Sequence, residues 1–169
     1  IFLKYVTFYI LLQNKKKTYG IINKNEKLTQ IIISDKIETI GNGSFYFCSL
    51  LTNVVIPSSV IHIGDNAFFG CHSLTSIIIP SSVISIGDYC FSNCSSLKQI
   101  TIPSSVTSIG NDAFSGCTSL SNIKFEIPFS LKLIGKNCFA ECKSLIKLLI
   151  PSSVTSYELQ SFEGFKSLT

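Results

Sequence analysis

The residues of this chain with the most chemistry in them are seven cysteines, two histidines and a few regularly spaced aspartates. A thiolate is a nucleophile and a soft metal ligand, an imidazole a general base or metal ligand, and a pair of carboxylates can share acid and base roles. Their spacing supports none of these. Cys71 adjoins His72, but no Cys-x-x-Cys or His-x-x-x-His pattern is present for zinc. His62 and His72 fall at positions of an internal repeat where other copies carry Ser, and Asp65 and Asp88 occur one per copy. No paired-carboxylate or phosphate-loop motif appears, and the many serines belong to Pro-Ser-Ser turns. The expectation is a non-enzymatic chain with no catalytic residue, no metal and no cofactor.

The cysteines follow the repeat. Cys48, Cys71, Cys94, Cys117 and Cys142 hold one repeat position; Cys90 and Cys138 hold another, where Ala67 and Ala113 also stand. A position that accepts Ala and Cys wants a small buried group, and a buried free thiol behaves as a small hydrophobe. Strand-like stacking at roughly 4.8 Å also brings neighbouring cysteines within disulfide Cα range, so occasional bridges stay open as an alternative. The odd count leaves at least one thiol without an intrachain partner.

The repeat itself is read from several ladders. Pro57, Pro80, Pro103, Pro128 and Pro151 are spaced by 23, 23, 25 and 23 residues. Phe45, Phe68, Phe91, Phe114, Phe139 and Phe162 keep step, as do Leu28, Leu51, Leu74, Leu97, Leu120, Leu145 and Leu168. A fixed period of this length means a solenoid, in which each unit stacks only on its neighbours and the core is a continuous rod.

The unit ITIPSSVTSIGNDAFSGCTS, residues 100–119, shows how each part should fold. Ile100 and Ile102 point inward from a short strand, and Gln99 and Thr101 outward, by two-residue alternation. Pro103 ends the strand, and Ser104 and Ser105 suit a turn with locally satisfied hydroxyls. Val106 and Ile109 mark a second short extended piece. Gly110, with Gly41, Gly64, Gly87 and Gly135, suits a tight turn at positive φ. Asn111, with Asn42, Asp65 and Asp88, reads as the cap of one helical or 3-10 turn that inserts Phe114 into the core. Glu126 and Ile127 are the two-residue insertion and should bulge the coil before Pro128; Tyr157, Glu158 and Phe165 replace the expected Ile, Gly and Cys in a degenerate last unit.

Residues 1–27 are read as an N-terminal strand or cap segment with a turn around residues 15–20, and residues 28–169 as a solenoid of about six 23-residue repeats, the last incomplete. The ends are expected to belong to a fragment or to a chain continuing with further repeats. The apolar run 1–12 is shorter than the roughly 18 residues of a membrane helix, so no membrane span is expected, and a signal peptide is weakly supported. Net charge is +4, but no Lys or Arg lies between 37 and 97. Lys15, Lys16 and Lys17 form a cluster without arginine or interleaved aromatics, which reads as a solvated loop; no nucleic-acid partner is expected.

The pattern LxxIxIPSSVxxIGxxAFxxCxSL, seen over residues 74–97 and 97–120, resembles the BspA-like class of leucine-rich repeats, and the resemblance covers about 28–169. It implies an α/β-type solenoid: a curved leucine-rich repeat with a parallel β-sheet on the concave face, built from the LxxIxI segments, and short strands, turns and 3-10 or helical turns elsewhere. Members are commonly surface proteins of bacteria and of parasitic or commensal protists, implicated in adhesion to host matrix or other cells. The resemblance therefore implies a cell-surface or secreted location, with a cytoplasmic scaffold as the alternative.

On such a face the outward positions form two ladders. Gln30, Asn53, Ser76, Gln99, Asn122 and Lys147 offer amides and hydroxyls to a protein or glycan ligand. Ile32, Val55, Ile78, Thr101, Lys124 and Leu149 form a strip that begins aliphatic, and contiguous exposed apolar surface often marks an interaction site; β-branched residues also simply favour strands. Asn42 and Asn93 fit the glycosylation sequon, yet Asn42 holds the capping position and Asn93 stands where Gly70 and Gly116 stand, so a structural role is the stronger expectation for both. Self-association through the open ends of the solenoid is a further expectation.

Overall fold

The computed structural model describes residues 22–162, together with the strands Thr7–Ile10 and Lys17–Thr18. Eleven strands precede one 3-10 turn among these residues: β1 Thr7–Ile10, β2 Lys17–Thr18, β3 Gln30–Ile33, β4 Thr39–Ile40, β5 Asn53–Val55, β6 His62–Ile63, β7 Ser85–Ile86, β8 Gln99–Ile102, β9 Ser108–Ile109, β10 Asn122–Phe125, β11 Leu133–Ile134, and the turn Leu159–Phe162. All strand pairs are parallel, each joining a residue to its counterpart one coil away: Gln99 to Asn122, Ser85 to Ser108. The result is a parallel β-solenoid. The helical component of the expected α/β solenoid is confined, among the described residues, to that single 3-10 turn.

Two strand faces run along the rod. The LxxIxI segments form not one sheet but two, β1-β3-β5 and β10-β8, with residues 76–79 between them in neither. The unbroken sheet is the other one, six strands in the order β11-β9-β7-β6-β4-β2, made of two-residue segments ahead of each glycine. β1 pairs with β3 through Thr7 and Gln30, and β2 pairs with β4 inside the stretch expected to be a turn around residues 15–20.

The third face carries the phenylalanines. Phe114 is fully buried, and its ring stacks on Phe91 at 5.4 Å and Phe139 at 5.7 Å. Phe45, Phe68 and Phe91 continue the stack at 5.1 and 5.3 Å. Each such ring removes roughly 1.5–3 kcal/mol worth of apolar surface from water, with offset stacking added. This segment is not a helical turn, because residues at both of its ends are left-handed: Asp112 has φ 52° and Gly116 φ 74°. Alternate amides consequently point along the rod. Asp112, Phe114 and Gly116 donate to the carbonyls of Lys136, Cys138 and Ala140 in the next coil, each at 2.8 Å, while Ser115 and Cys117 close local turns.

Two side-chain devices, with a glycine that makes room for one of them, bind coil to coil where local roles were expected. Asp88 and Asn111 cap no helix of their own; Asp88 Oδ1 accepts the Asn111 N–H at 2.7 Å, and Asn111 Oδ1 accepts the Lys136 N–H at 2.8 Å. Gly110 is not at positive φ. A Cβ there would meet the Asp88 carboxylate and come within 2.6 Å of the Asp88 amide nitrogen, so glycine is required by close approach of the preceding coil. The second serine of each Pro-Ser-Ser also reaches backward: Ser82 donates to Val60 O at 2.6 Å and Ser105 to Val83 O at 2.6 Å.

The insertion lies where the spacing puts it. Phe125 still pairs with Ile102, and Glu126 N–H donates to Ile102 O at 3.0 Å. Ile127 is then 77% exposed, Pro128 is exposed where Pro103 is buried, and register returns at buried Leu131 and at Leu133, which pairs with Ser108. In the degenerate unit Tyr157 is exposed and packs edge-on to Phe162 at 5.6 Å; Phe165 lies outside the described residues.

Candidate binding surface

Two-residue alternation of burial, which persists at 76–79 where no strand forms, turns most of the expected positions outward. Ile77 and Ile79 are buried while Ile78 between them is 82% exposed; Ile100 and Ile102 are buried beneath Gln99 and Thr101. In the first ladder Asn53, Ser76, Gln99, Asn122 and Lys147 are exposed and Gln30 is half-buried. In the second Ile32, Val55, Ile78, Lys124 and Leu149 are exposed and Thr101 is half-buried.

Six of the twelve are brought together. Ser76, Ile78, Gln99, Thr101, Asn122 and Lys124 line one groove of about 540 Å³, closed at its far end by Glu126, a residue not among those expected. Its chemistry is graded. Ile78 supplies an apolar lip beside the break in the sheet, Gln99 and Asn122 supply amides that donate and accept, and Lys124 and Glu126 place one charge of each sign at the other end. Such a lining can orient an uncharged polar chain with an apolar patch by contact and hydrogen bonding. Gln30, Ile32, Asn53, Val55, Lys147 and Leu149 lie outside the groove, on neighbouring coils.

The thiols are fixed inward. All seven cysteines are free and buried. Those of the five-membered ladder donate to carbonyls of the preceding coil: Cys94 to Phe68 O at 3.2 Å, Cys117 to Phe91 O at 3.1 Å. Burial pushes the Cys142 thiol up to about 12 and the other six upward as well. They therefore stay protonated near neutrality and act as donors inside the rod. Among the described residues no group of three His, Cys, Asp or Glu is placed to hold a metal ion. His62 Nδ1 lies 2.8 Å from Ser85 Oγ on the surface, and His72 packs edge-on to Phe47.

Both sequon asparagines are exposed and engaged. Asn42 Oδ1 accepts the Asp65 N–H at 3.0 Å, and Ser44 of that sequon is buried with its hydroxyl on Gly41 O. Asn93 has φ 59° and rests its amide oxygen against Gly116.

One cluster was missed. Tyr46 stacks on Phe69 at 5.1 Å, and Phe47 sets its edge to Tyr46 at 4.8 Å and lies tilted on Phe69 at 5.4 Å. The signal was a departure from pattern: the other copies have Ser92, Ser115 and Ala140 where Tyr46 and Phe69 stand, and Gly70, Asn93, Gly116 and Glu141 where Phe47 stands.

Comparison with known proteins agrees with this architecture. The chain is similar to a leucine-rich cell surface protein from Faecalibacterium prausnitzii, with a TM-score of 0.66 and 34% identity over 71% of this chain and 32% of that one. It is similar to a leucine-rich repeat protein from Eubacterium ventriosum, with a TM-score of 0.56 and 30% identity over 82% of this chain and 43% of that one. The T. pallidum leucine rich repeat protein shares the fold at 23% identity, with a TM-score of 0.61 over 84% of this chain and 78% of that one. The chain thus spans about a third of the length of the F. prausnitzii protein. No curated protein matches it. Among the described residues no helix is long and apolar enough to cross a membrane. The model of the BspA type leucine rich repeat region matches in six copies over residues 20–126 and 93–169, and the chain belongs to that family.

Proposed function

We propose that this chain is a non-catalytic binding module of a cell-surface or secreted protein, taking a protein ligand on the face that carries the two outward ladders and so contributing to adhesion. The observation that supports this reading is the groove of about 540 Å³, where an aliphatic lip, two amides and one charge of each sign converge without a reactive group. Clefts of this size with a few placed polar groups are the usual form of a recognition site. The F. prausnitzii protein to which the chain is similar is a cell surface protein, which supports the location. In this reading the face is the concave one and the sequon asparagines serve the scaffold.

The test is adhesion of the purified chain to immobilised extracellular matrix proteins, with Ile32, Val55 and Ile78 replaced together by Ser and, separately, Gln99 and Asn122 by Ala. All five residues are exposed, so these variants are expected to fold, which an unchanged melting temperature checks. Loss of a saturable signal in both supports the reading; an unchanged signal in both rejects this face. A scaffold role inside the cell, with contacts through the solenoid ends, is the second reading. It is favoured by seven unpaired thiols, which suit a reducing compartment. Surface labelling of intact cells separates the two.

A further inference from the structure

Away from the groove, Tyr46, Phe47, Phe69 and His72 form a surface cluster that the solenoid does not need. At their repeat positions other coils carry Ser, Ala, Gly, Asn, Thr, Glu or Lys. Phe47 is the most telling. It has φ 53°, a left-handed conformation that the repeat imposes at this position, since Lys24, Gly70, Asn93, Gly116 and Glu141 share it, and a bulky ring is the side chain among these least suited to it. The ring gains no core burial in return, since Phe47 remains 37% exposed. It lies directly on Gly70, where a Cβ would come within 3.0 Å of its edge. Strain held at an exposed aromatic residue is characteristic of a site kept for what it contacts.

The chemistry of the cluster narrows its occupant. Tyr46 and Phe69 stack nearly parallel, 18° apart, while Phe47 stands across them and His72 meets Phe47 edge-on at 5.8 Å. Beside these rings are hydrogen-bonding groups: the Tyr46 hydroxyl, the exposed His72 imidazole, and half-buried Ser49 and Ser73, whose backbones bond at 3.1 Å. The coils that carry the rings hold no Lys or Arg between 37 and 97; the cation beside them is Lys24, one coil back, whose backbone N–H donates to Tyr46 O at 2.6 Å, so the cluster itself offers no charge to a phosphate, sulfate or carboxylate. Rings offering an apolar surface beside neutral donors and acceptors match a neutral sugar, whose C–H face is apolar and whose rim is hydroxyl. We infer that Tyr46, Phe47, Phe69 and His72 form a binding site for neutral glycans, separate from the groove.

The repeat supplies its own controls. Tyr46→Ser, Phe69→Ser and Phe47→Asn each install a residue that another coil already carries at that position, so the fold accommodates them. Titration of neutral gluco-, manno- and galacto-configured oligosaccharides, and of choline, would be followed by calorimetry. The expected result is saturable binding of at least one oligosaccharide, weakened at least tenfold by Phe47→Asn and by Tyr46→Ser with Phe69→Ser, while Phe47→Asn melts at an equal or higher temperature. Ile78→Ser in the groove should leave this binding unchanged, which keeps the outcome distinct from failure of the groove reading. The inference is overturned if no neutral oligosaccharide binds at millimolar concentration, if choline binds in their place, if the cluster variants bind as the parent does, or if Phe47→Asn lowers the melting temperature.

Discussion

Asp88 and Asn111 are joined twice across adjacent coils: Asp88 Oδ1 accepts the Asn111 backbone N–H at 2.7 Å, and Asp88 Oδ2 accepts from Asn111 Nδ2 at 3.4 Å. The bond to the backbone is the stronger by geometry, and Gly110 exists to make room for it. Asp88→Ala should cost about 0.5–1.5 kcal/mol by removing an exposed coil-to-coil hydrogen bond. Asp88→Asn should cost much less, since Asn42 and Asn111 perform the same task with an amide oxygen. Gly110→Ala should be the worst of the three, because the new Cβ meets the backbone of Asp88 and Gly87, which cannot rotate aside. Urea unfolding of the three variants checks the order; equal stability of Asp88→Ala and the parent would sink it.

This relationship also shows where sequence reading stopped. That Asn and Asp accept a backbone N–H is legible in their chemistry; the glycine at 110 recurs visibly too, but its reason is close approach of the preceding coil and not the positive φ expected of a turn. Which coil the N–H belongs to is a three-dimensional fact. A residue 23 positions away in sequence is adjacent in a solenoid, so the helix-cap reading took the local partner and missed the true one. The PSS serines were misread for the same reason, since Ser105 bonds to Val83 rather than within its own turn. The two-residue strands of the continuous sheet, such as Ser85–Ile86, are too short to show any alternation. On the candidate face the reverse held: alternation alone placed Ile78 outward between buried neighbours. The groove, which depends on how coils 76–79, 99–102 and 122–126 splay, had no one-dimensional signature.

The phenylalanine stack should respond most strongly at its centre. Phe91 is wholly buried and stacked on both sides, at 5.3 Å to Phe68 and 5.4 Å to Phe114. Phe91→Ala removes a ring and leaves a cavity between two others, an expected loss of about 3–5 kcal/mol. Phe91→Leu keeps most of the burial and forfeits the two ring–ring terms, about 1–3 kcal/mol together. Calorimetric melting of both variants tests this; a Leu variant as damaged as the Ala variant would mean that stacking geometry, not volume, governs the core.

The thiols predict an alkaline weakness. Their pKa values are raised in the folded chain from a starting value of 9.0, to about 12 at Cys142, by burial. Above about pH 9 the unfolded chain releases thiol protons that the folded chain retains, so the unfolded state binds fewer protons and stability falls as pH rises. The contribution is intact below about pH 9 and, for Cys142, is lost progressively up to about 12. Each such thiol can add a slope of at most about 1.4 kcal/mol per pH unit. Denaturation midpoints measured between about pH 8 and 11 should decline, and less steeply in Cys94→Ala with Cys117→Ala than in the parent. Identical slopes would show that lysines and tyrosines, not the thiol ladder, control the alkaline limb.

The insertion offers a test of the repeat as the organising unit. Glu126 and Ile127 separate Phe125 from Pro128, whereas Ile102 and Pro103 are contiguous, and the two extra residues leave Ile127 77% exposed and Pro128 exposed. Deleting both would set Pro128 against Pro103 and bring Ser130 to the place from which Ser105 reaches Val83 O and Ser153 reaches Leu131 O, here facing Val106 O. One solvent-facing isoleucine is lost, one coil-to-coil hydrogen bond is gained, worth about 0.5–1.5 kcal/mol, and the backbone closing the coil is shorter. The deletion should therefore melt at the same temperature as the parent or higher, an unusual outcome for removing two consecutive residues from a folded chain. It should also remove the Glu126 end of the groove, so ligand binding there should change while stability does not fall. A drop in melting temperature would show that the coil from 122 to 134 has adapted its packing to the longer path, and that the 23-residue period does not by itself set the local optimum.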